Sequence, residues 1–208
     1  MSFLTFIAFL AAALVLAVTP GPGIAYVVAR TISNGRREGL ASCIGTAIGG
    51  MAHVLAAALG LSVLVAQSAF AFSLVKYLGA IYLVYLGIRI LLRSEQAPSI
   101  EATAPKGERR ALLDGIAVEL LNVKTALFFL AFLPQFVSRA EPFVPQIMLL
   151  GSICVLLNTL VDIGAVLAAH RLLRSGVARA ARARLMNRVS GATMVGLGVL
   201  LGFARREA

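Results

Sequence analysis

Six long apolar runs follow one another along the chain, and most polar residues lie in the short segments between them. Each run has roughly 20 or more residues, which is the length that an α-helix needs to cross the hydrocarbon core of a bilayer. The pattern predicts an all-α, polytopic membrane protein with six transmembrane helices: Phe3–Arg30, Leu40–Val65, Phe70–Leu92, Leu112–Phe136, Val144–His170 and Leu185–Phe203.

Segment 94–110 divides these spans into two groups of three. It contains Pro98, Pro105 and charged residues of both signs, as flexible solvated linkers do. An odd number of spans per half reverses the direction of the second half relative to the first. We therefore expect one membrane domain, 1–208, built as two inverted three-helix repeats, 1–93 and 111–208, as in many secondary transporters.

Basic residues are concentrated in the odd-numbered loops, which hold most of the 19 lysines and arginines. The loop after span two has none, and the loop after span four has only Arg139, near Glu141. The positive-inside rule then predicts that the odd-numbered loops are cytoplasmic and that both termini face outward. Arg205 and Arg206 at the C-terminus oppose that placement.

The amino-acid composition is typical of a membrane protein. The sequence is 60% hydrophobic and 13% charged, with a mean hydropathy of +0.92, whereas soluble domains are about half apolar and about one quarter charged. The net charge of +10 comes from short clusters between apolar runs, which argues against nucleic-acid binding. No lysine or arginine precedes the first run, so we expect a retained span and not a cleaved signal peptide.

No pattern indicates an enzyme, a cofactor or a metal site. Cys43 and Cys154 lie in apolar runs and are expected to be buried thiols. His53 and His170 are far apart, and the sequence has neither a nucleotide-binding loop nor a nucleophile–base motif. Energy for any transport must therefore come from an ion gradient or from the downhill flow of the substrate.

Two spans are interrupted at similar depths. The run Thr19-Pro20-Gly21-Pro22 breaks span one, because proline lacks an amide donor and glycine loosens the backbone. Span four carries Glu119, Asn122 and Lys124 at a matching depth. Interrupted helices at corresponding positions indicate a transport site near the midplane. A proline kink with a few polar residues packed inside is the alternative.

Ionisable residues inside the spans are candidates for proton transfer. A carboxylate at the depth of Asp162 costs several kcal/mol unless it is paired, hydrated or protonated. Asp162 is therefore a candidate proton carrier, and a static ion pair with Lys124 is the alternative. Glu119 lies five residues before Lys124, so the two do not share a helix face and each is expected to find partners on other spans. His53 either relays protons or packs as a hydrogen-bonded residue.

Glycines in span two indicate close packing of helices. Gly45 and Gly49 form a G-x-x-x-G motif, which lets two helix backbones approach closely. Gly198 and Gly202 repeat this spacing in span six. Such faces are compatible with a homo-oligomer, and the sequence does not decide the oligomeric state.

Together these features resemble the LysE/RhtB family of amino-acid exporters over essentially the whole chain. The resemblance rests on five groups of residues: Thr19-Pro20-Gly21-Pro22, the segment 34–40 (Asn-Gly-Arg-Arg-Glu-Gly-Leu), the glycines and His53 of span two, the segment 76–83 (Lys-Tyr-Leu-Gly-Ala-Ile-Tyr-Leu), and span four from Asn122 to Phe136. In one position the chain departs from the family, which usually has Asn-Pro-Lys where this sequence has Asn122-Val123-Lys124. Losing that proline removes a forced helix break.

The resemblance implies export of amino acids such as lysine, threonine, homoserine or leucine across the bacterial inner membrane, driven by protons. We expect Thr19, Pro20, Gly21 and Pro22, with Asn122 and Lys124, to bind the substrate, and Asp162, Glu119 and His53 to carry protons. Lys124 offsets one carboxylate, which favours a neutral amino acid. An exporter or channel for another small solute or ion is the main alternative, and a membrane enzyme or scaffold is a third.

Overall fold

The computed structural model describes residues 2–67, 69–92, 107–138 and 140–172, and near the C-terminus residues 188, 191–192, 194–199 and 201–203. These parts are helical, joined by short turns and without a strand, which confirms the all-α prediction for them. The helices are α1 (Phe3–Val18), α2 (Pro22–Asn34), α3 (Arg36–Gln67), α4 (Ala69–Leu92), α5 (Glu108–Leu120), α6 (Val123–Leu127) and α7 (Phe143–Leu172). After α6 the backbone continues as a π-helical stretch, Phe128–Phe132, and a 3₁₀ turn, Leu133–Phe136.

Two to four segments qualify as membrane spans by length and composition. Arg36–Gly60 in α3 and Phe143–Ala169 in α7 are continuous, whereas α1 with α2 and α5 with α6 are pairs of helices bent by 44° and 47°. These four match predicted spans one, two, four and five. Predicted span three corresponds to α4, and span six is described only as an apolar helix within Met194–Phe203. The arrangement of six spans in inverted repeats stays a prediction.

Several predicted boundaries were wrong because glycine ends or starts a helix. Gly35 has φ +91° and terminates α2, so α3 begins at Arg36 and the loop after span one is a single residue. Gly107, with φ +80°, precedes α5, so the last residues of predicted linker 94–110 belong to a helix. The rest of that linker, and the basic stretch 173–187, lie outside the described residues.

The break in span one follows from its prolines. Thr19 ends α1, where its N–H and its hydroxyl both donate to the carbonyl oxygen of Val15, at 3.1 and 2.5 Å. Pro22 then occupies the first turn of α2, a position where a missing amide hydrogen costs nothing. The last carbonyl groups of α1 are left facing the break.

The break in span four forms without a proline. Asn122 adopts an extended conformation between α5 and α6, and its Oδ1 accepts from the backbone N–H of Lys124 at 3.2 Å. This side chain is an N-cap, which satisfies one of the amide donors at the start of α6. Val123 therefore does not abolish the break that the family's proline would enforce.

Glycines allow α3 and α5 to pack closely. A Cβ on Gly45 would collide with the carbonyl of Leu112, and one on Gly49 would lie 2.7 Å from Cβ of Glu119. The close approach predicted for this motif is thus made within the chain. On their outer faces, α3 and α7 expose rows of large apolar side chains, including Ile44, Leu59, Leu149 and Leu160. So much exposed apolar surface suits contact with lipid.

Candidate functional site

The two broken spans meet α3 and α7 around one cavity. The cavity contains about 460 Å³ of space not filled by atoms, part of which is open to the exterior. Its wall combines polar and small apolar side chains from both broken spans and both long helices: Ala17, Thr19, Gly23, Ile24, Thr46, Ala47, Gly50, Glu119, Asn122, Lys124, Thr125, Val155, Asn158, Thr159 and Asp162. Residues far apart in sequence and polar in character therefore share one pocket.

Lys124 reaches across from one break to the other. Its Nζ donates to the carbonyl oxygens of Leu16 and Thr19, at 3.1 and 2.9 Å. These carbonyls belong to the last turn of α1, where the helix has no internal donors for them and its dipole favours a cation. An ammonium group has three N–H donors, so one remains for another acceptor in the cavity.

Glu119 is held by residues of its own span. Its Oε1 accepts from the hydroxyl of Thr125 at 2.7 Å, and its Oε2 accepts from Nδ2 of Asn122 at 3.1 Å. We expected partners on other spans. That expectation was wrong because the break after α5 turns the chain, so that residues three and six positions later face the carboxylate.

Asp162 is paired with a hydroxyl and not with Lys124. Its Oδ2 lies 3.1 Å from Oγ1 of Thr46, and the same Oγ1 lies 3.0 Å from the carbonyl oxygen of Cys43. Ion pairs among the described residues join other groups, Arg30, Glu38, Arg110 and Asp114. The suggested Lys124–Asp162 ion pair is not formed, because the ammonium group is turned toward the end of α1.

The cavity wall does not include three of the predicted substrate-binding residues or one of the predicted proton carriers. Pro20, Gly21 and Pro22 are absent from the wall, and Gly21 packs against the ammonium end of Lys124. His53 Nε2 lies 2.9 Å from the carbonyl oxygen of Glu119, and its ring stacks on Phe129. The assignments of all nine predicted residues to substrate or protons stay predictions.

The cavity wall also contains polar residues for which no role was predicted from the sequence. Threonine is common in membrane helices, so the presence of Thr46, Thr125 and Thr159 alone does not indicate a site. Asn158 is different, because it lies one helical turn before Asp162 and so shares its face. The four-residue spacing of Asn158 and Asp162 was the one sequence pattern that indicated a polar face on α7.

Comparison with known proteins points to one family. The LysE type translocator profile matches residues 14–205. The chain is 34% identical over 200 residues to an uncharacterized membrane protein of Vibrio cholerae, with 96% of this chain and 97% of that protein covered. It is 29% identical over 206 residues to a homoserine/homoserine lactone efflux protein of Salmonella typhimurium, with 99% of each covered. No solved structure matches.

Proposed function

This chain is a member of the LysE type translocator family, and from that premise we propose that it exports an amino acid or a close derivative, coupled to protons. Family membership and the relatives named for efflux make it a transporter and not an enzyme. The Salmonella typhimurium relative is named for homoserine and homoserine lactone, and this name supports a small polar amino compound as the substrate.

The observation that carries the proposal is the cavity between the two breaks. It offers one cation, Lys124, and two carboxylates, Glu119 and Asp162, in a space walled by four spans. A zwitterion would place its carboxylate near the remaining N–H of Lys124 and its ammonium group near a carboxylate. An uncharged side chain adds no further charge to this arrangement, so a neutral amino acid is favoured.

The contacts of Asp162 support a role in carrying the proton. The hydroxyl of Thr46 has one hydrogen but two acceptors within reach, Asp162 Oδ2 and the carbonyl oxygen of Cys43. When Asp162 is ionised, Thr46 donates to it. When Asp162 is protonated, its O–H donates to Thr46, which then donates to Cys43. Both protonation states are therefore satisfied by a rotation of one hydroxyl group, as a proton carrier requires.

The two breaks support alternating access between inverted repeats. They bend by similar angles, 44° and 47°, and each lies in the first span of its half. In the proposed cycle one half rocks against the other around the cavity. We place the chain in the bacterial inner membrane, with the odd-numbered loops in the cytoplasm and both termini outside. A homo-oligomer would have to use a face other than the one with Gly45 and Gly49, which α5 covers.

Flux into proteoliposomes tests this proposal. Purified protein, reconstituted with a set pH gradient, is offered a panel of labelled amino acids and homoserine lactone. We expect saturable uptake that depends on the gradient and is competed by unlabelled substrate, and we expect Asp162→Asn to lose the pH dependence. Gly164→Ala is the matched control, because Gly164 lies on the same helix and a Cβ there meets nothing within 4 Å.

Two outcomes would contradict the proposal. Flux that does not saturate and is not competed would indicate a channel for another solute. Gradient-driven flux that is identical in wild type and Asp162→Asn would remove Asp162 from the coupling step.

A further inference from the structure

A buried arginine joins three helices at the end of α2. Arg30 is 4% exposed, and its two terminal nitrogens contact Asp114 Oδ2 at 2.8 Å and Glu38 Oε2 at 3.5 Å. Its Nε donates to the hydroxyl of Tyr26, which donates in turn to the carbonyl oxygen of Ala111. Arg30 thereby connects α2 with the first turn of α3 and the first two turns of α5. We call Arg30, Glu38 and Asp114 the ionic layer.

Glu38 extends the ionic layer to the segment before α5. Its Oε2 also accepts from Nδ2 of Asn34 at 2.7 Å, and its Oε1 accepts from the backbone N–H of Gly107 at 3.1 Å. Glu38 is buried, so these donors replace the water that its carboxylate would otherwise bind. The ionic layer therefore links the first half of the chain to the beginning of the second.

A second layer, which is apolar, separates the ionic layer from the cavity. Val27, Cys43 and Val166 are packed together and are at most 1% exposed. Each lies one helical turn, roughly 5 Å, from a residue of the cavity wall, namely Ile24, Thr46 and Asp162. On α2, Arg30 lies one helical turn beyond Val27, farther from the cavity. A path from the cavity toward this end of the bundle therefore meets an apolar layer and then an ionic one.

We propose that Arg30 is a gate residue, which closes the cavity toward the predicted cytoplasmic side by its ion pairs to Glu38 and Asp114. A solute leaving or entering on this side must part α2, α3 and α5, and the ion pairs hold those three helices together. Ion pairs suit this task because breaking a buried pair costs little when water enters and hydrates both charges, whereas a dry unpaired charge is costly. The layer thus favours two states, closed and dry or open and wet.

The proposal goes beyond the substrate and coupling proposed above, and it requires only that the chain opens to alternate sides. Its alternative is a static brace that never opens during the cycle. The two differ in one respect: a gate controls the access of water to the apolar layer from one side, and a brace controls the stability of the whole bundle.

Cys43 is a reporter that the chain already contains. It lies in the apolar layer, and Cys154→Ala leaves it as the single cysteine. Thiol reagents attack the thiolate in water, so a charged, membrane-impermeant methanethiosulfonate labels Cys43 only through an open wet path. The labelling rate is measured from each side, in inside-out and right-side-out vesicles, and no transport substrate is needed.

We expect slow labelling in the Cys154→Ala parent. Arg30→Gln and Asp114→Asn should each raise the rate at least about tenfold from the Arg30 side, with no change from the other side. Cys43 should be labelled more slowly in Arg30→Lys than in Arg30→Gln, because lysine keeps the positive charge. Arg110→Gln is the matched control: it removes a cation that also pairs with Asp114, at 2.9 Å, but has a 61% exposed side chain and does not contact Glu38.

Unchanged labelling in correctly inserted Arg30→Gln and Asp114→Asn would overturn the proposal. An equal rise from both sides would also overturn it, because this indicates a loosened bundle and supports the static brace. If Arg30→Gln fails to insert, the isosteric Asp114→Asn decides the question alone. A chain that shows one-sided labelling but exports no amino acid would contradict the proposed function and leave the gate intact.

Discussion

Nζ of Lys124 lies 2.9 Å from the carbonyl oxygen of Thr19, so a side chain from one broken span caps the end of the other. A Cβ on Gly21 would lie 3.0 Å from that nitrogen. On the far side of the break, a Cβ on Gly23 would lie 2.7 Å from Oε2 of Glu119. The C-terminal end of α1 therefore meets a cation and the N-terminal end of α2 meets an anion, as the helix dipoles favour. The two breaks form one electrostatic unit.

Replacing Lys124 should destabilise the protein. Lys124→Met keeps most of the length of the side chain but leaves the carbonyl oxygens of Leu16 and Thr19 without a donor. Each unsatisfied buried group costs about 1–3 kcal/mol, so we expect the free energy of unfolding to fall by about 2 kcal/mol or more. Unfolding by a denaturing detergent, followed by circular dichroism, measures the change.

Arg37→Met is the control for the loss of a positive charge. Arg37 is exposed at the start of α3, so its replacement should change the free energy of unfolding by no more than about 0.5 kcal/mol. Equal stability of the two variants would show that Lys124 does not hold the breaks together.

The sequence predicted the long helices and both breaks from local features. Spans of apolar residues marked α3 and α7, and the prolines at positions 20 and 22 marked the end of α1, because both effects act within a few residues. The break at Asn122 has a weaker signal. An asparagine caps a helix only where the chain already turns, so the residue type does not fix the break.

The partners of the charged residues could not be predicted from sequence. Lys124 binds backbone carbonyls, which every residue possesses, so no residue type marks the acceptor. The contact between Arg30 and Asp114 joins residues 84 positions apart, and it depends on how α2 packs against α5. Arg30 ends predicted span one, close to Arg36 and Arg37, which are exposed in the structure.

Gly23 should tolerate no side chain. In Gly23→Ala the new Cβ would lie 2.7 Å from Oε2 of Glu119, so this buried carboxylate would have to shift and strain its hydrogen bonds to Asn122 and Thr125. Overpacking of this kind costs about 1–3 kcal/mol, and we expect export to be lost with it. Gly164→Ala, in open space on α7, should be neutral or stabilising by about 0.5–1 kcal/mol. Thermal unfolding in detergent and flux, measured on both variants, test the contrast.

The break at Asn122 should depend on Asn122 and accept a proline at Val123. Asn122→Ala removes the N-cap of α6 and one donor to Glu119, for a cost of about 1 kcal/mol or more. Val123 is the first residue of α6 and is 43% exposed, a position that proline favours. Val123→Pro should therefore keep wild-type stability and flux. A strong loss in Val123→Pro, or none in Asn122→Ala, would contradict this account of the break.

The side chain of the substrate should be selected by Gly50 and Val155. Along the antiparallel α3 and α7, Thr46 meets Asp162 at a polar level of the cavity, and one turn away a Cβ on Gly50 would lie 3.1 Å from Val155. The charged ends of a substrate fit the level of Thr46 and Asp162, and its side chain fits the level of Gly50 and Val155. Val155→Ala should therefore raise kcat/KM for leucine relative to homoserine by about tenfold, measured in proteoliposomes.

Leu156→Ala is the control, because Leu156 faces outward at 57% exposure. This substitution should leave the ratio unchanged. Equal changes for both substrates would place the side chain elsewhere.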